Sequence, residues 1–295
     1  MRSLGLLLTG EGKLSMQPSV VPAKKRLCVS PLAPFQSAWT NRALIMRLAT
    51  RDILARYRAS VLGIAWSVIV PLVMLAVYTF VFSGIFRMRW ATSDNSKVHF
   101  AVVLFCGLLV FNFYSECMTR APSLILSHKT YVKKVVFPLE VLPWISALKA
   151  LFNTLIGTAI LLIFYVCTNG LPSWEILLAP LVLAPFVLSV IGVSLFLSSL
   201  GVYIRDIQQI IGVVVTVSMF MSPIFYPLEA VPPSYREIIQ LSPLAIAIQQ
   251  ARAILFTGTL PSFASWALAL LGSWCVLWLG FLWFSKTRKG FADVI

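Results

Sequence analysis

The chain has 295 residues, 59% of them hydrophobic and 12% charged, with a mean hydropathy of +0.89. That composition excludes a water-soluble globular domain and predicts an all-α integral membrane protein. The net charge of +14 does not mark a nucleic-acid binder, because the Lys and Arg residues sit between apolar runs, where membrane topology accounts for them.

Residues 1–34 are expected to stand outside the fold, as a mis-called start or a disordered extension. Leu4–Leu8 is too short and wrongly flanked for a signal peptide, and Met16 offers an alternative start. The fragment GEGKLS at Gly10–Ser15 resembles a phosphate loop only superficially. Leu7 stands where the motif needs a glycine, and Leu14 where it needs Ser or Thr. The sequence thus offers no nucleotide site of its own.

Residues 35–60 read as an amphipathic helix at the membrane surface. Met46, Ala49, Ile53 and Tyr57 share one face, and Arg47, Arg51 and Arg58 the opposite one. It feeds directly into the charge-free run Val61–Phe86, which at about 1.5 Å per residue crosses a hydrocarbon core of roughly 30 Å. Further apolar runs at about 98–114, 145–167, 176–200, 207–225 and 266–284 bring the expected spans to six, all within residues 61–290. Ten Lys and Arg residues precede the first span, four lie between the second and third, and none lies between the third and fourth. Both termini are therefore expected on the cytoplasmic side, the C-terminus with Lys286, Arg288 and Lys289.

The cytoplasmic loop 116–143 is only moderately polar, and prolines bracket a short helical candidate at Ser123–Val136. Two readings stand: a helix lying on lipid, or a docking surface for a partner protein, since both bury apolar residues beside Lys133 and Lys134. Between spans four and five, Arg205 and Asp206 either anchor a tight turn or touch a partner. The external segment 226–265 holds two amphipathic pieces, Tyr235–Leu241 and Leu244–Phe256, separated by Ser242-Pro243 and each too short to cross. They either re-enter the membrane beside a pathway or pack on the outer ends of the spans.

Ionisable groups are nearly absent from the spans, with Lys149 and His99 near span starts. Ion-coupled carriers place carboxylates or histidines there, so any transport would draw its energy from another subunit. A membrane enzyme would need clustered acid–base groups. His99 and His128 fall on opposite sides of the predicted topology, and Asp94, Glu175, Glu229 and Glu237 are scattered, so no catalytic residue is assigned. The five cysteines, odd in number, show no metal-ligand spacing and read as packing residues. Aromatic residues make up 13%. Most belong to the core or the interfacial belts, while Trp66, Tyr78, Phe82, Phe220, Phe225 and Tyr226, near span ends, are candidates to line a path for a neutral sugar polymer.

The chain resembles the membrane subunit of bacterial polysaccharide ABC exporters, the family that moves O-antigen, capsule and teichoic-acid polymers. Arg51-Asp52-Ile53, Arg56-Tyr57-Arg58, Ser60, Leu62-Gly63, Trp66 and Pro71 carry the likeness, followed by Phe137-Pro138-Leu139-Glu140-Val141-Leu142-Pro143. Tyr203-Ile204-Arg205-Asp206-Ile207 and Ser222-Pro223-Ile224-Phe225-Tyr226 extend it, over about residues 40–290. The resemblance implies a homodimer in the bacterial inner membrane, six spans per subunit, with two separate ATP-binding subunits that hold ATP and Mg. This chain itself would carry no cofactor.

The family pattern also turns the loop toward docking. It makes 35–60 the interface helix, places a coupling helix within Ser123–Phe137, and makes 226–265 the periplasmic gate segment. The ATPase-facing residues it implies are Arg47, Arg51, Lys129, Tyr131, Lys133, Lys134, Phe137 and Pro138. Spans one and five would line the channel, and Arg56 and Arg58 would receive the lipid diphosphate, although inside-positive anchoring explains the same two arginines. The implied cargo is a lipid-linked polysaccharide, O-antigen first, with teichoic acid, capsule, lipid or drug as alternatives.

Overall fold

The computed structural model describes residues 30–58, 65–81, 97–129 and 137–294, and every regular element among them is helical. Helix α1 (Ala33–Thr40) and α2 (Arg42–Arg58) split the predicted surface helix at Asn41. The Asn41 amide donates to the Ser37 carbonyl at 2.8 Å and takes up one of the carbonyls that a helix end leaves open. Of the predicted extension, Ser30–Pro34 are described, and Ala33 and Pro34 are buried within α1. The remainder of residues 1–34 lies outside the described residues.

Each of the six predicted apolar runs contains a helix. They are α3 (Trp66–Tyr78), α4 (Lys97–Arg120), α5 (Leu142–Asn169), α6 (Ala179–Tyr203), α7 (Ile207–Met221) and, after two short helices, α10 (Phe263–Thr287). Four of these, α4, α5, α6 and α10, are long and apolar enough to cross a membrane. The 15-residue α7 and the segment Val68–Val81 are shorter. The second run does not stop near Asn112 and Tyr114: α4 continues to Arg120, so Asn112 lies inside the helix.

Local chemistry sets the helix limits. Prolines stand in the first turns of α1, α5, α6, α8 (Pro233–Gln240) and α9 (Pro243–Thr257), where no amide partner is lost. Gly258 ends α9 with φ +63, a left-handed conformation that disfavours any side chain. Ser262 caps α10, accepting from the Ser265 amide at 3.3 Å. The pair α8–α9 bends by 91° at Leu241–Ser242, as Ser242-Pro243 requires: the residue before proline is pushed into extended geometry.

The core sits around α4, whose most apolar window is 78% buried against 22–28% for α5, α6 and α10. Helix α9 packs inward on it, with Ala245, Ile248 and Ile254 almost wholly buried. Helices α6 and α10 form the most extensive pair because glycines meet at their crossing. A Cβ on Gly192 would lie 2.7 Å from the Leu277 Cα, and one on Gly280 would collide with the Gly192 carbonyl. Small residues let helices approach in this way where lipid removes the hydrophobic drive. The last helix, α11 (Phe291–Val294), folds back so that Phe291 is wholly buried against Phe284 and Tyr203.

Candidate functional site

Two regions hold the predicted functional residues. The first is the end of the bundle where α2, the loop before α5 and the C-terminus meet. Helix α2 packs through Ile45, Leu48 and Ala49, while Met46 is 60% exposed; the packed face is turned relative to the predicted one. The reason is Asp52, which lies on that face and is bound by Lys149 of α5 at 3.1 Å. Arg51 contacts the same carboxylate at 3.1 Å. Burial alone would raise the Asp52 pKa, but hydrogen bonds from Lys149 and Arg51 outweigh it and hold the carboxyl below its ordinary range.

A second ionic node lies nearby. The Arg288 Nη1 meets Glu140 Oε2 at 2.7 Å, and its Nη2 donates to the Phe137 carbonyl at 3.1 Å. Ser37 Oγ donates to the other Glu140 oxygen at 3.3 Å. One carboxylate in the Phe137–Pro143 motif thus joins the first helix, the loop and the last long helix. The turns at 121–128 rest against α6 where Gly201 allows it: a Cβ there would collide with the Pro122 carbonyl. Among the predicted docking residues, Arg47, Arg51 and Lys129 are exposed and Phe137 and Pro138 half-buried. Tyr131, Lys133 and Lys134 lie outside the described residues. Arg56 and Arg58 belong to the last turns of α2.

The second region is bounded by α3, α4 and α7. Trp66 and Phe220 are 47% and 59% exposed, on α3 and α7. Tyr78 closes α3, and Phe82 lies outside the described residues. Phe225 is buried, its ring 6.2 Å from that of Phe220. The Tyr226 hydroxyl turns back to the carbonyls of Phe220 and Met221, 3.1 Å from each, where α7 has run out of amide donors. Between the three helices lies a cavity of about 340 Å³, walled by Pro71 and Met74 of α3, Phe105, Asn112 and Glu116 of α4, and Met219 of α7.

Sequence reasoning missed Arg252. It lies on α9, 9% exposed, and its guanidinium donates to three carbonyls: Val103 of α4 at 3.1 Å, Ile224 at 2.9 Å, and Pro223. Pro223 and Ile224 form the break after α7, where backbone carbonyls are left without helical partners, and Arg supplies five donors in a fixed fork. The signal was present in the sequence: a single charged residue, Arg252, inside a fifteen-residue helix that is otherwise uncharged and mostly apolar.

Among the described residues no acid–base constellation gathers, and comparison with known proteins points to transport. The family model described as ABC-2 type transporter matches residues 43–256. This chain belongs to the ABC-2 type transporter family. The matched range begins in α2 and ends in α9, and Asp52, Lys149 and Arg252 lie within it. The O-antigen export system permease protein RfbA of Myxococcus xanthus is 27% identical over 86% of this chain and 96% of that protein. A protein of the same name from Klebsiella pneumoniae is 25% identical over 85% and 95%. The polysialic acid transport protein KpsM of Escherichia coli is 21% identical over 74% and 83%.

Proposed function

We propose that this chain is the membrane-channel subunit of an ATP-driven exporter that carries a lipid-linked polysaccharide of the O-antigen class from the cytoplasmic to the periplasmic side of the inner membrane. The observation that carries the reading is the likeness to O-antigen export permeases across nearly the whole of both chains. The likeness to the polysialic acid transport protein is lower in identity and in coverage, which favours O-antigen over a capsule polymer.

In this reading two copies of the chain pair with two ATP-binding subunits, which hold ATP and Mg. The chain crosses six times with both termini cytoplasmic, α3 and α7 counting as crossings and α8–α9 acting as the periplasmic gate. Docking falls on Arg47, Arg51, Lys129, Tyr131, Lys133, Lys134, Phe137 and Pro138. Closure of the ATP-binding subunits then loads α2 and the 121–138 segment from below. The load reaches α5 through Asp52–Lys149 and α10 through Glu140–Arg288. Trp66, Tyr78, Phe82, Phe220, Phe225 and Tyr226 guide the glycan, and Arg56 and Arg58 meet the lipid diphosphate.

Co-purification tests the assembly. The tagged chain is expressed with its ATP-binding partner, with and without Lys133→Ala, Lys134→Ala and Phe137→Ala combined. The reading expects a stable complex that the triple change abolishes. A folded chain that never recruits an ATP-binding subunit overturns it.

A further inference from the structure

Helix α4 is the most enclosed of the long helices, yet one side of its second half is polar. Asn112, Ser115, Glu116 and Thr119 recur at the spacing that places them on one helical face. Asn112 is exposed, although it lies well inside a helix suited to crossing the membrane. A polar side chain held at such depth is costly on lipid and ordinarily faces protein or water. The cavity between α3, α4 and α7 provides that place: Asn112, Ser115 and Glu116 line it.

The chemistry of the lining selects what can occupy it. Glu116 is fixed from behind, accepting from Asn153 Nδ2 at 2.8 Å and pairing with Arg120 at 2.8 Å. A carboxylate oxygen can accept more than one hydrogen bond. A phosphate placed here would meet a carboxylate, and a cation would find that charge already matched by Arg120. A neutral group with many hydroxyls suits the site: Asn112 donates and accepts, Ser115 does the same, and Glu116 accepts. The facing wall, Val70, Pro71 and Met74 of α3 with Met219 of α7, is apolar and suits the C–H face of a sugar ring, which gains by leaving water. The volume of about 340 Å³ lies at the lower end of the roughly 300–1,000 Å³ of small-ligand sites.

We infer that this cavity is a sugar-binding subsite in which Asn112, Ser115 and Glu116 take the hydroxyls of a neutral glycan residue while α3 packs on its apolar face. The inference rests on the exporter reading and adds a place where the glycan is gripped, apart from the arginines proposed for the lipid diphosphate.

The test is polymer export in cells that make the polymer and carry the ATP-binding partner, comparing the wild-type chain with Asn112→Leu and Asn112→Gln and measuring the amount of assembled complex in each. Asn112→Leu keeps the side-chain size and removes the hydrogen bonds, so export should fall about three- to tenfold, the worth of one such bond. Asn112→Gln should restore most of it. In parallel, an Asn112→Cys chain lacking Cys28, Cys167 and Cys275 is treated with a small polar thiol reagent, and labelling should be lower in cells that make the polymer than in cells that do not. Undiminished export by Asn112→Leu, or equal labelling in both cells, overturns the subsite while leaving the exporter reading intact. Loss of complex in both Asn112→Leu and Asn112→Gln assigns the amide to packing and also overturns it. If the wild-type chain exports nothing, the exporter reading itself fails.

Discussion

Arg252 and Gly107 are fitted to each other: a Cβ on Gly107 would lie 2.6 Å from the Arg252 Nη2. The glycine on α4 leaves the room through which the guanidinium reaches the Val103 carbonyl and the break after α7. Replacing Arg252 by Met strands these carbonyls at about 1–3 kcal/mol each where no water reaches them. Thermal unfolding of the purified protein should show a loss of several kcal/mol for Arg252→Met. Gly107→Ala should be milder, because the far end of a flexible side chain can shift. An unchanged midpoint for Arg252→Met would show that the lock contributes nothing.

The α6–α10 crossing allows a sharper contrast. Gly280→Ala drives its Cβ into the Gly192 backbone carbonyl, which cannot turn aside, and overpacking of this kind costs about 1–3 kcal/mol. Gly272, on the same helix with open space around it, should accept alanine with no loss. The two variants, compared by heat-induced aggregation in detergent, are expected to separate clearly.

Asp52 carries a pH signature. Its folded pKa is lowered, so the Lys149 contact adds stability above the unfolded carboxyl value of about 3.9 and loses it as pH falls through the lower folded value. Asp52→Asn should therefore destabilise the protein equally at pH 6 and pH 8, and the difference from wild type should close only below about pH 4. Melting curves of the two proteins across that range provide the check.

Glu140 should matter more than an exposed ion pair, since its side chain is only 12% exposed and its two oxygens hold Arg288 and Ser37. Exposed pairs contribute about 0–1 kcal/mol. Glu140→Gln removes the charge, keeps an oxygen for Arg288 and leaves Ser37 to accept from the amide instead of donating, and should cost about that much; Glu140→Ala, which strands Arg288 and Ser37, should cost more. Co-purification of the ATP-binding partner should fall in the same order.

The helices were legible in the sequence because apolar runs with proline and glycine at their ends leave few alternatives. That is why α5, α6 and α10 fall close to their predicted limits. The end of α4 was misread at Asn112 and Tyr114, because polar residues there resemble a span end when the cavity they face is unknown. The turned face of α2 was hidden for a related reason: the apolar periodicity of Met46, Ala49, Ile53 and Tyr57 takes no account of Asp52, and only the tertiary contact with Lys149 makes it an inner residue. Arg252 stood in plain view, but its three acceptors come from backbone far away in sequence, and no local pattern points to them. Of the aromatics expected to line a path, Phe225 illustrates the limit most simply, since nothing in its neighbours tells that its ring turns into the core.

Ser37 and Arg288 bind the two oxygens of one carboxylate. The first and last described stretches of the chain therefore come within one side chain's reach of each other at Ser37 and Arg288. Joining these ends with a short linker and reopening the chain at Gly170–Ser173, between α5 and α6, would give a circular permutant that keeps every helix in place.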